Sequence, residues 1–222
     1  MSEHVVKILG AKFITHNVRQ FLIEKPAGFS FIPGQATEIS LNQDHWKKEG
    51  RPFTFTSLPE WPDLQFTIKI YDDHRGVTQQ LGKAKPGAEL IMRDIFGAIH
   101  YKGPGVFIAG GAGITPFIAI FRDLFKKKKL DGNSLIFSNK TTGDVILREE
   151  LNTMLSPNFI NVFTRNGVPG MKERRIDKDF LVENIKDTKR HFYVCGPDKF
   201  VKEITGHLIS LGADTDAVVL EE

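Results

Sequence analysis

The hexapeptide Gly111-Ala112-Gly113-Ile114-Thr115-Pro116 follows an apolar run, Val106 to Ala109, and precedes an apolar periodicity at Phe117, Ile120, Phe121 and Leu124. A phosphate-binding loop requires this context. Glycines let the backbone approach an anion, and the first turn of the following helix offers it unpaired N–H groups. The spacing is Gly-x-Gly-x-x-Pro rather than Gly-x-Gly-x-x-Gly. Proline is tolerated in a first helical turn, where its missing N–H would have no partner anyway. A second stretch, Arg51-Pro52-Phe53-Thr54, joins an aromatic face and a hydroxyl to a guanidinium, which forks onto phosphate oxygens better than an ammonium does. Gly76-Val77-Thr78 opens a short helix that would attract an anion in the same way. Cys195-Gly196-Pro197 ends an apolar strand and begins a helix. Taken singly, these are a tight βα turn, a strand with a surface arginine, and a buried cysteine in a turn.

The elements that must position these residues fall into two grammars. The first hundred residues read as short strands split by turn signals: Val5 to Leu9, Thr15 to Glu24, Ala36 to Leu41 after Pro33-Gly34, Arg51 to Ser57, Leu64 to Tyr71, and Glu89 to Met92 after Pro86-Gly87. Leu64, Phe66, Ile68 and Ile70 share one face by period two. One helix, Thr78 to Lys83, interrupts. Past Tyr101-Lys102-Gly103-Pro104-Gly105 the pattern changes to strands alternating with helices. Strands are expected at Val106–Ala109, Ser134–Ser138, Phe159–Thr164, Phe192–Cys195 and Ala217–Leu220. Helices are expected at Pro116–Lys126, Leu147–Leu155, Asp179–Ile185 and Asp198–Leu211. The expected architecture is two-domain: an antiparallel β-barrel over 1–102, then an α/β domain over 103–222 whose parallel sheet binds ligands at the carboxyl ends of its strands.

Composition narrows the class. The chain has 222 residues, 41% hydrophobic and 26% charged, with a net charge of +3. That is ordinary for a globular protein and argues against nucleic-acid binding. No apolar run is long enough to span a bilayer, and Met1-Ser2-Glu3-His4 does not open a signal peptide, so a cytoplasmic protein with no membrane insertion is expected. The single cysteine cannot ligate an iron–sulfur cluster, which needs about four ligands. His74 beside Asp72 and Asp73 reads as a polar turn rather than a metal site, and the other histidines lack ligand spacing. No metal is expected.

Arg51-Pro52-Phe53-Thr54, Gly111-Ala112-Gly113-Ile114-Thr115-Pro116 and Cys195-Gly196-Pro197, in this order, resemble the ferredoxin–NADP reductase superfamily, in particular flavodoxin/ferredoxin reductase-like flavoproteins without an iron–sulfur domain. The resemblance covers nearly the whole chain. It implies a flavin-binding barrel followed by an NAD(P)-binding domain. Arg51 and Gly76-Val77-Thr78 would hold flavin phosphate, and Phe53, in place of the family's tyrosine, would pack on the ring. Thr54 would sit near the reactive nitrogen, and the strand carrying Lys69 would run beside the ribityl chain. Gly111, Gly113, Thr115 and Pro116 would form the pyrophosphate loop. Cys195, Gly196 and Pro197 would flank the nicotinamide, with Thr54 and Cys195 nearest the chemistry.

The resemblance implies FAD, with FMN as the alternative, and NADPH or NADH as electron donor. Thr164-Arg165 matches the pair that grips the 2′-phosphate in NADPH-specific members. Lys172, Arg174 and Arg175 lie within reach in sequence and would add charge. Relatives of the plant type end in an aromatic stacked on the flavin, whereas this sequence ends Val218-Val219-Leu220-Glu221-Glu222. The flavin face is thus expected to be open or covered by another residue, and Phe96-Gly97 to lie at the barrel rim. Lys126-Lys127-Lys128-Lys129, with Arg122 one turn earlier, is either a solvated helix end or a docking patch for an acidic carrier. The expected activity is electron transfer from NAD(P)H through flavin to a flavodoxin or ferredoxin-like carrier. The reductase component of an oxygenase, desaturase or cytochrome system is the alternative, and a flavin-bearing redox sensor that does not turn over is a third reading.

Overall fold

The structure, a computed structural model, describes residues 3–73, 75–97, 99–165 and 173–220. His74, Lys172 and the terminal Met1, Ser2, Glu221 and Glu222 lie outside the described residues. Among the described residues, the first part forms six antiparallel strands: β1 (His4–Phe13), β2 (Val18–Ile23), β3 (Gln35–Leu41), β4 (Arg51–Thr54), β5 (Leu64–Lys69) and β6 (Glu89–Gly97). Their order is β4-β3-β6-β1-β2-β5. The sheet curls until its two edges nearly meet, and a bridge between Phe55 and Phe66 joins them. Curling covers edges that would otherwise be open to pairing with another chain. Leu64, Phe66, Ile68 and Ile70 point inward and are buried, as period two required. Phe55 sits among them, 4.2 Å from the Phe31 ring and 5.0 Å from that of Phe66. Helix α1 (Val77–Lys83) buries Val77 and Leu81 in the same core.

Four boundaries differ from expectation by three residues or more: β1 runs on to Phe13 rather than Leu9, β2 begins at Val18 rather than Thr15, and β6 and β4 end elsewhere than expected. Strand β6 runs five residues past Met92, through Arg93 and Asp94, whose charges break the apolar alternation. Arg93 is held on the outer side by Glu3 at 2.9 Å and Glu38 at 3.0 Å. Phe96 lies at the far end of that strand and is partly exposed, at the rim. The strand from Arg51 ends at Thr54, because Thr56 and Ser57 turn toward Gln65.

The second part is a parallel sheet of β7 (Gly105–Gly110), β8 (Ser134–Asn139), β9 (Phe159–Phe163), β10 (His191–Cys195) and β11 (Val218–Leu220), ordered β11-β10-β7-β8-β9. Helices α2 (Thr115–Lys126), α3 (Arg148–Leu155), α4 (Lys178–Asn184) and α5 (Asp198–Ser210) cover its faces. Strand β7 is buried along its whole length, the mark of a central parallel strand. Phe107 and Ala109 face one layer, with Phe117 and Phe121 of α2; Val106 and Ile108 face the other, with Leu181 of α4 and Ile204 of α5. Connections leave β7 toward β8 and return on the other side as β10. The crevice between β7 and β10 is therefore the topological switch point, where ligands bind in such sheets.

The two parts share a packed seam. Val18 and Ile99 join the core cluster of α2 and β7. Arg122 of α2, expected among surface lysines, is instead 9% exposed. It forms a salt bridge with Glu150 of α3 and donates to the Thr56 carbonyl of the barrel. Its place on the inward face of α2 removes it from any docking patch. Tyr193 of β10 ties the connecting segment to the sheet. Its hydroxyl accepts from the amides of Lys102 at 2.9 Å and Gly103 at 3.0 Å, and donates to the Gly103 carbonyl at 2.8 Å.

Candidate functional site

A cleft of about 510 Å³ opens at the switch point, at the carboxyl ends of β7, β8, β9 and β10. One wall is the glycine loop, a short 3₁₀ turn over Gly111–Ile114 that runs directly into α2. Gly111 has φ +55°, the left-handed region in which a side chain costs free energy. The first turn of α2 has no side-chain cap and no acidic residue, so nothing there opposes an anion at the helix end, although the Thr115 N–H is itself bonded to the Ala112 carbonyl. Pro116 lies in that turn, where no N–H is needed. Thr115 lines the cleft beside the loop. The opposite wall is Cys195-Gly196-Pro197, with Pro197 at the cap of α5. Between them, Asn139 at the end of β8 is buried, and its side-chain amide nitrogen has no hydrogen-bond partner within the protein. Buried donors are almost always satisfied, so an acceptor on a ligand fits this cleft.

A second pocket, about 500 Å³, lies in the barrel half between Arg51, Phe53, Tyr71, Gly76, Val77 and Thr78. Arg51 is exposed, and its guanidinium donates to the Gly50 carbonyl at 2.7 Å. Both spaces fall in the size range of small-molecule and cofactor sites. A narrower space of about 180 Å³ joins them, lined by Phe53, Thr54, Lys69 and Thr78 from the barrel and by Ala112 and Thr115 from the α/β part. Thr54 is only 6% exposed at this junction. Tyr71 lines all three spaces, with the Lys69 ammonium 5.5 Å from its ring. The donor set thus has a cation and a hydroxyl at one end, an aromatic beside them, and a glycine loop at the other. These residues fit two phosphate-bearing groups meeting at the junction.

Most of the expected site residues come together here. Arg51, Phe53, Gly76, Val77 and Thr78 line the barrel pocket, Thr54 and Lys69 the junction, and Gly111, Gly113, Thr115, Thr164, Cys195, Gly196 and Pro197 the cleft. Arg165 does not line the cleft; it is exposed, and its amide donates to the Lys140 carbonyl at 3.1 Å. Arg174 is occupied by Glu183 at 2.5 Å and by the Phe180 ring at 4.7 Å. The Thr164 hydroxyl donates to the Asn139 carbonyl at 3.3 Å. The cation that the sequence reading missed is Lys140, which lines the cleft directly after β8. Its place at the carboxyl end of a parallel strand was the available signal. On the far side of Cys195 and Gly196, a groove of about 480 Å³ runs to Leu220 of β11.

The tetralysine lies at the other end of α2 from the glycine loop, about 18 Å away along a helix of 12 residues. Lys126 pairs with Glu60 and holds that carboxyl below its usual range, chiefly through their hydrogen bond. Lys127 pairs with Asp123 at 2.7 Å. Among the described residues, no group of three or more His, Cys, Asp or Glu side chains is placed to hold a metal ion. No helix among them is long and apolar enough to cross a membrane.

Residues 107–205 match the family model of the oxidoreductase NAD-binding domain. The chain is 27% identical to NADH-cytochrome b5 reductase 2 of Mycosarcoma maydis over 216 residues, covering 86% of this chain and 61% of that protein. It is 25% identical to the glycine betaine monooxygenase reductase subunit of Chromohalobacter salexigens, covering 87% of this chain and 56% of that protein. The chain therefore spans less than two thirds of the length of these relatives. Its fold is similar to that of the FAD/NAD-binding domain of a nitric oxide dioxygenase from Vibrio cholerae, with TM-score 0.84, 19% identity and coverage of 97% and 96% of the two chains. A ferredoxin NADP+ reductase from Neisseria gonorrhoeae with bound FAD and NADP gives TM-score 0.80, 22% identity and coverage of 95% and 92%.

Proposed function

We propose, for a chain with the ferredoxin reductase-like fold and an oxidoreductase NAD-binding domain, that it is an NAD(P)H-dependent flavoprotein reductase delivering electrons to a separate one-electron acceptor. The observation that carries the reading is the junction, where Thr54 of the barrel and Thr115 of the glycine loop line one space. Two nucleotide sites that open into each other bring a hydride donor and its acceptor together. A bound flavin accepts two electrons as hydride and releases them singly. The protein supplies binding, orientation and exclusion of water.

The proposed roles follow the lining residues. Arg51, Gly76, Val77 and Thr78 hold flavin phosphate, Phe53 packs on the ring, and Thr54 offers its hydroxyl beside it. Lys69 sits along the flavin chain. Gly111, Gly113, Thr115 and Pro116 hold the nicotinamide cofactor's pyrophosphate against the amides of α2, while Cys195, Gly196 and Pro197 shape the nicotinamide end. Thr164 and Lys140 inside the cleft, with Arg165 next to Thr164 in the chain but outside the lining, are assigned to the adenosine end and favour NADPH. The division at 1–102 and 103–222 assigns flavin to the first domain and nicotinamide to the second. FAD is proposed over FMN on the fold likeness to FAD-binding domains.

The proposed acceptor is a flavodoxin or ferredoxin-like carrier in the cytoplasm. If an acidic carrier docks at the lysine cluster, Lys128 and Lys129 carry the role, since Lys126 and Lys127 already have acidic partners. A second reading, the reductase of a cytochrome or oxygenase system, is favoured by the relatives' own names, cytochrome b5 reductase and monooxygenase reductase subunit. An anaerobic visible spectrum before and after NADPH, and separately NADH, tests the common core. A yellow protein bleached by either nucleotide supports the reductase, and the faster nucleotide names the donor. A protein that binds no flavin overturns the reading. One that binds flavin and is bleached by neither nucleotide is a sensor. Reoxidation by flavodoxin, ferredoxin and cytochrome b5 in turn then separates the acceptors.

A further inference from the structure

The guanidinium of Arg122 works on both sides of the seam. It forks onto Glu150 through Nε at 2.5 Å and Nη2 at 2.8 Å. Nη1 reaches into the barrel, to the Thr56 carbonyl and to Gln65 Oε1 at 2.7 Å. The Trp61 ring closes over it, its centroid 5.1 Å from the guanidinium carbon. A buried guanidinium is tolerated only when its charge and its N–H groups are matched in good geometry, so this contact has little freedom to slide.

Two routes lead from that contact to the junction. Along α2, Thr115 lies two turns toward the glycine loop on the face that carries Arg122, and it lines the junction opposite Thr54. Within the barrel, the Thr56 hydroxyl is 3.2 Å from that of Thr67, which lines the same space. Within the packed seam, this one side chain therefore links the helix that bears the nucleotide loop to the strands that bear the flavin pocket.

We infer that Arg122 is a positioning residue that keeps the two nucleotide sites in register, setting the separation across which hydride leaves the nicotinamide and reaches the flavin. The catalytic consequence rests on the reductase reading; the register is a property of the protein alone. Misplacing reactive groups by 1 Å costs about a hundredfold in rate, so loss of register shows in the chemical step before it shows in binding.

The test uses Arg122→Met, Arg122→Lys and Gln65→Leu. The last removes one barrel contact and leaves the Glu150 pair intact, so a reading survives if the first variant folds poorly. Two measurements are made. Amide exchange of the nucleotide-free protein follows Thr56, whose N–H is bonded to the Gln65 carbonyl at 2.8 Å. Anaerobic stopped-flow gives the limiting rate of flavin reduction and the half-saturating NADPH concentration. Arg122→Met is expected to speed Thr56 exchange and to lower the limiting rate about tenfold or more, with flavin occupancy and half-saturation little changed. Arg122→Lys and Gln65→Leu should fall between it and the wild type. An unchanged limiting rate overturns the inference, and so does a loss that merely tracks flavin occupancy in every variant. If the wild type binds no flavin, the reductase reading fails and exchange alone decides. Faster exchange at Thr56 in Arg122→Met then upholds the register, and unaltered protection overturns it.

Discussion

A Cβ added to Gly113 would lie 2.3 Å from the carbonyl oxygen of Cys195. No real Cβ makes such a contact, and the three nearest atoms all belong to backbone that cannot swing aside. The glycine loop and the Cys195-Gly196 turn therefore touch directly, and the cleft takes its shape from that contact. Gly113→Ala should force the two walls apart, with a stability loss of about 1–3 kcal/mol. Nucleotide affinity should fall while flavin retention holds. Thermal unfolding, together with an NADPH titration of flavin reduction, checks both halves of the expectation.

Arg51 is expected to act through charge and forked geometry at the flavin phosphate. Arg51→Ala should weaken flavin retention about tenfold to a hundredfold, the worth of a charge-assisted hydrogen bond of roughly 1.5–3 kcal/mol. Arg51→Lys should lie between. The ratio of flavin to protein absorbance after dialysis measures this, and unchanged occupancy in the alanine variant would remove Arg51 from the phosphate site.

Lys140 lines the cleft, and the Arg165 amide donates to its carbonyl; in the proposed function this end receives the adenosine of NADPH. Lys140→Ala should raise the half-saturating NADPH concentration by about tenfold, with little effect on NADH, because only NADPH carries the extra phosphate. Arg165→Ala should act in the same direction. Parallel titrations with the two nucleotides decide it, and an equal loss for both would assign Lys140 to the pyrophosphate instead.

Tyr193 carries a pH signature. Burial pushes its phenol above the ordinary value, and the donating amides of Lys102 and Gly103 pull it partly back. A raised native pKa means the neutral phenol stabilises the fold fully below the unfolded value, about 10. That contribution is lost as pH rises through the higher native value. Denaturant midpoints of the wild type should thus fall more steeply above about pH 10 than those of Tyr193→Phe. The variant should also be weaker by about 1–3 kcal/mol at neutral pH, because two backbone donors lose their acceptor. Parallel midpoints across that range would remove Tyr193 as the source.

Much of this molecule was legible in its sequence, for identifiable reasons. Period-two burial at Leu64, Phe66 and Ile68 and the apolar face of α2 are local consequences of packing against a core, and local patterns survive in one dimension. The ferredoxin reductase-like fold followed from motifs whose chemistry demands a strand before them and a helix after. Arg122 could not be read the same way. Near four lysines it looks like surface charge, and only the approach of Thr56 and Gln65 from another part of the chain turns it inward. Arg174 shows the converse, since Glu183 and Phe180 take a cation that the sequence left open for a phosphate. Strand β6 was cut short by Arg93, because outward-facing ion pairs with Glu3 and Glu38 leave no trace in the apolar pattern.

The strand order has a temporal consequence. Strand β10 pairs with β7 only after β8, β9 and the helices between them have been made, yet it supplies one whole wall of the cleft. A chain still emerging from the ribosome, synthesised as far as β9, owns the glycine loop and has nothing to close it. Such distant pairing is also the slow kind, since the ends of a long loop must meet before any contact rewards them. Closure of the cleft would then come late in synthesis, once β10 has taken its place beside β7.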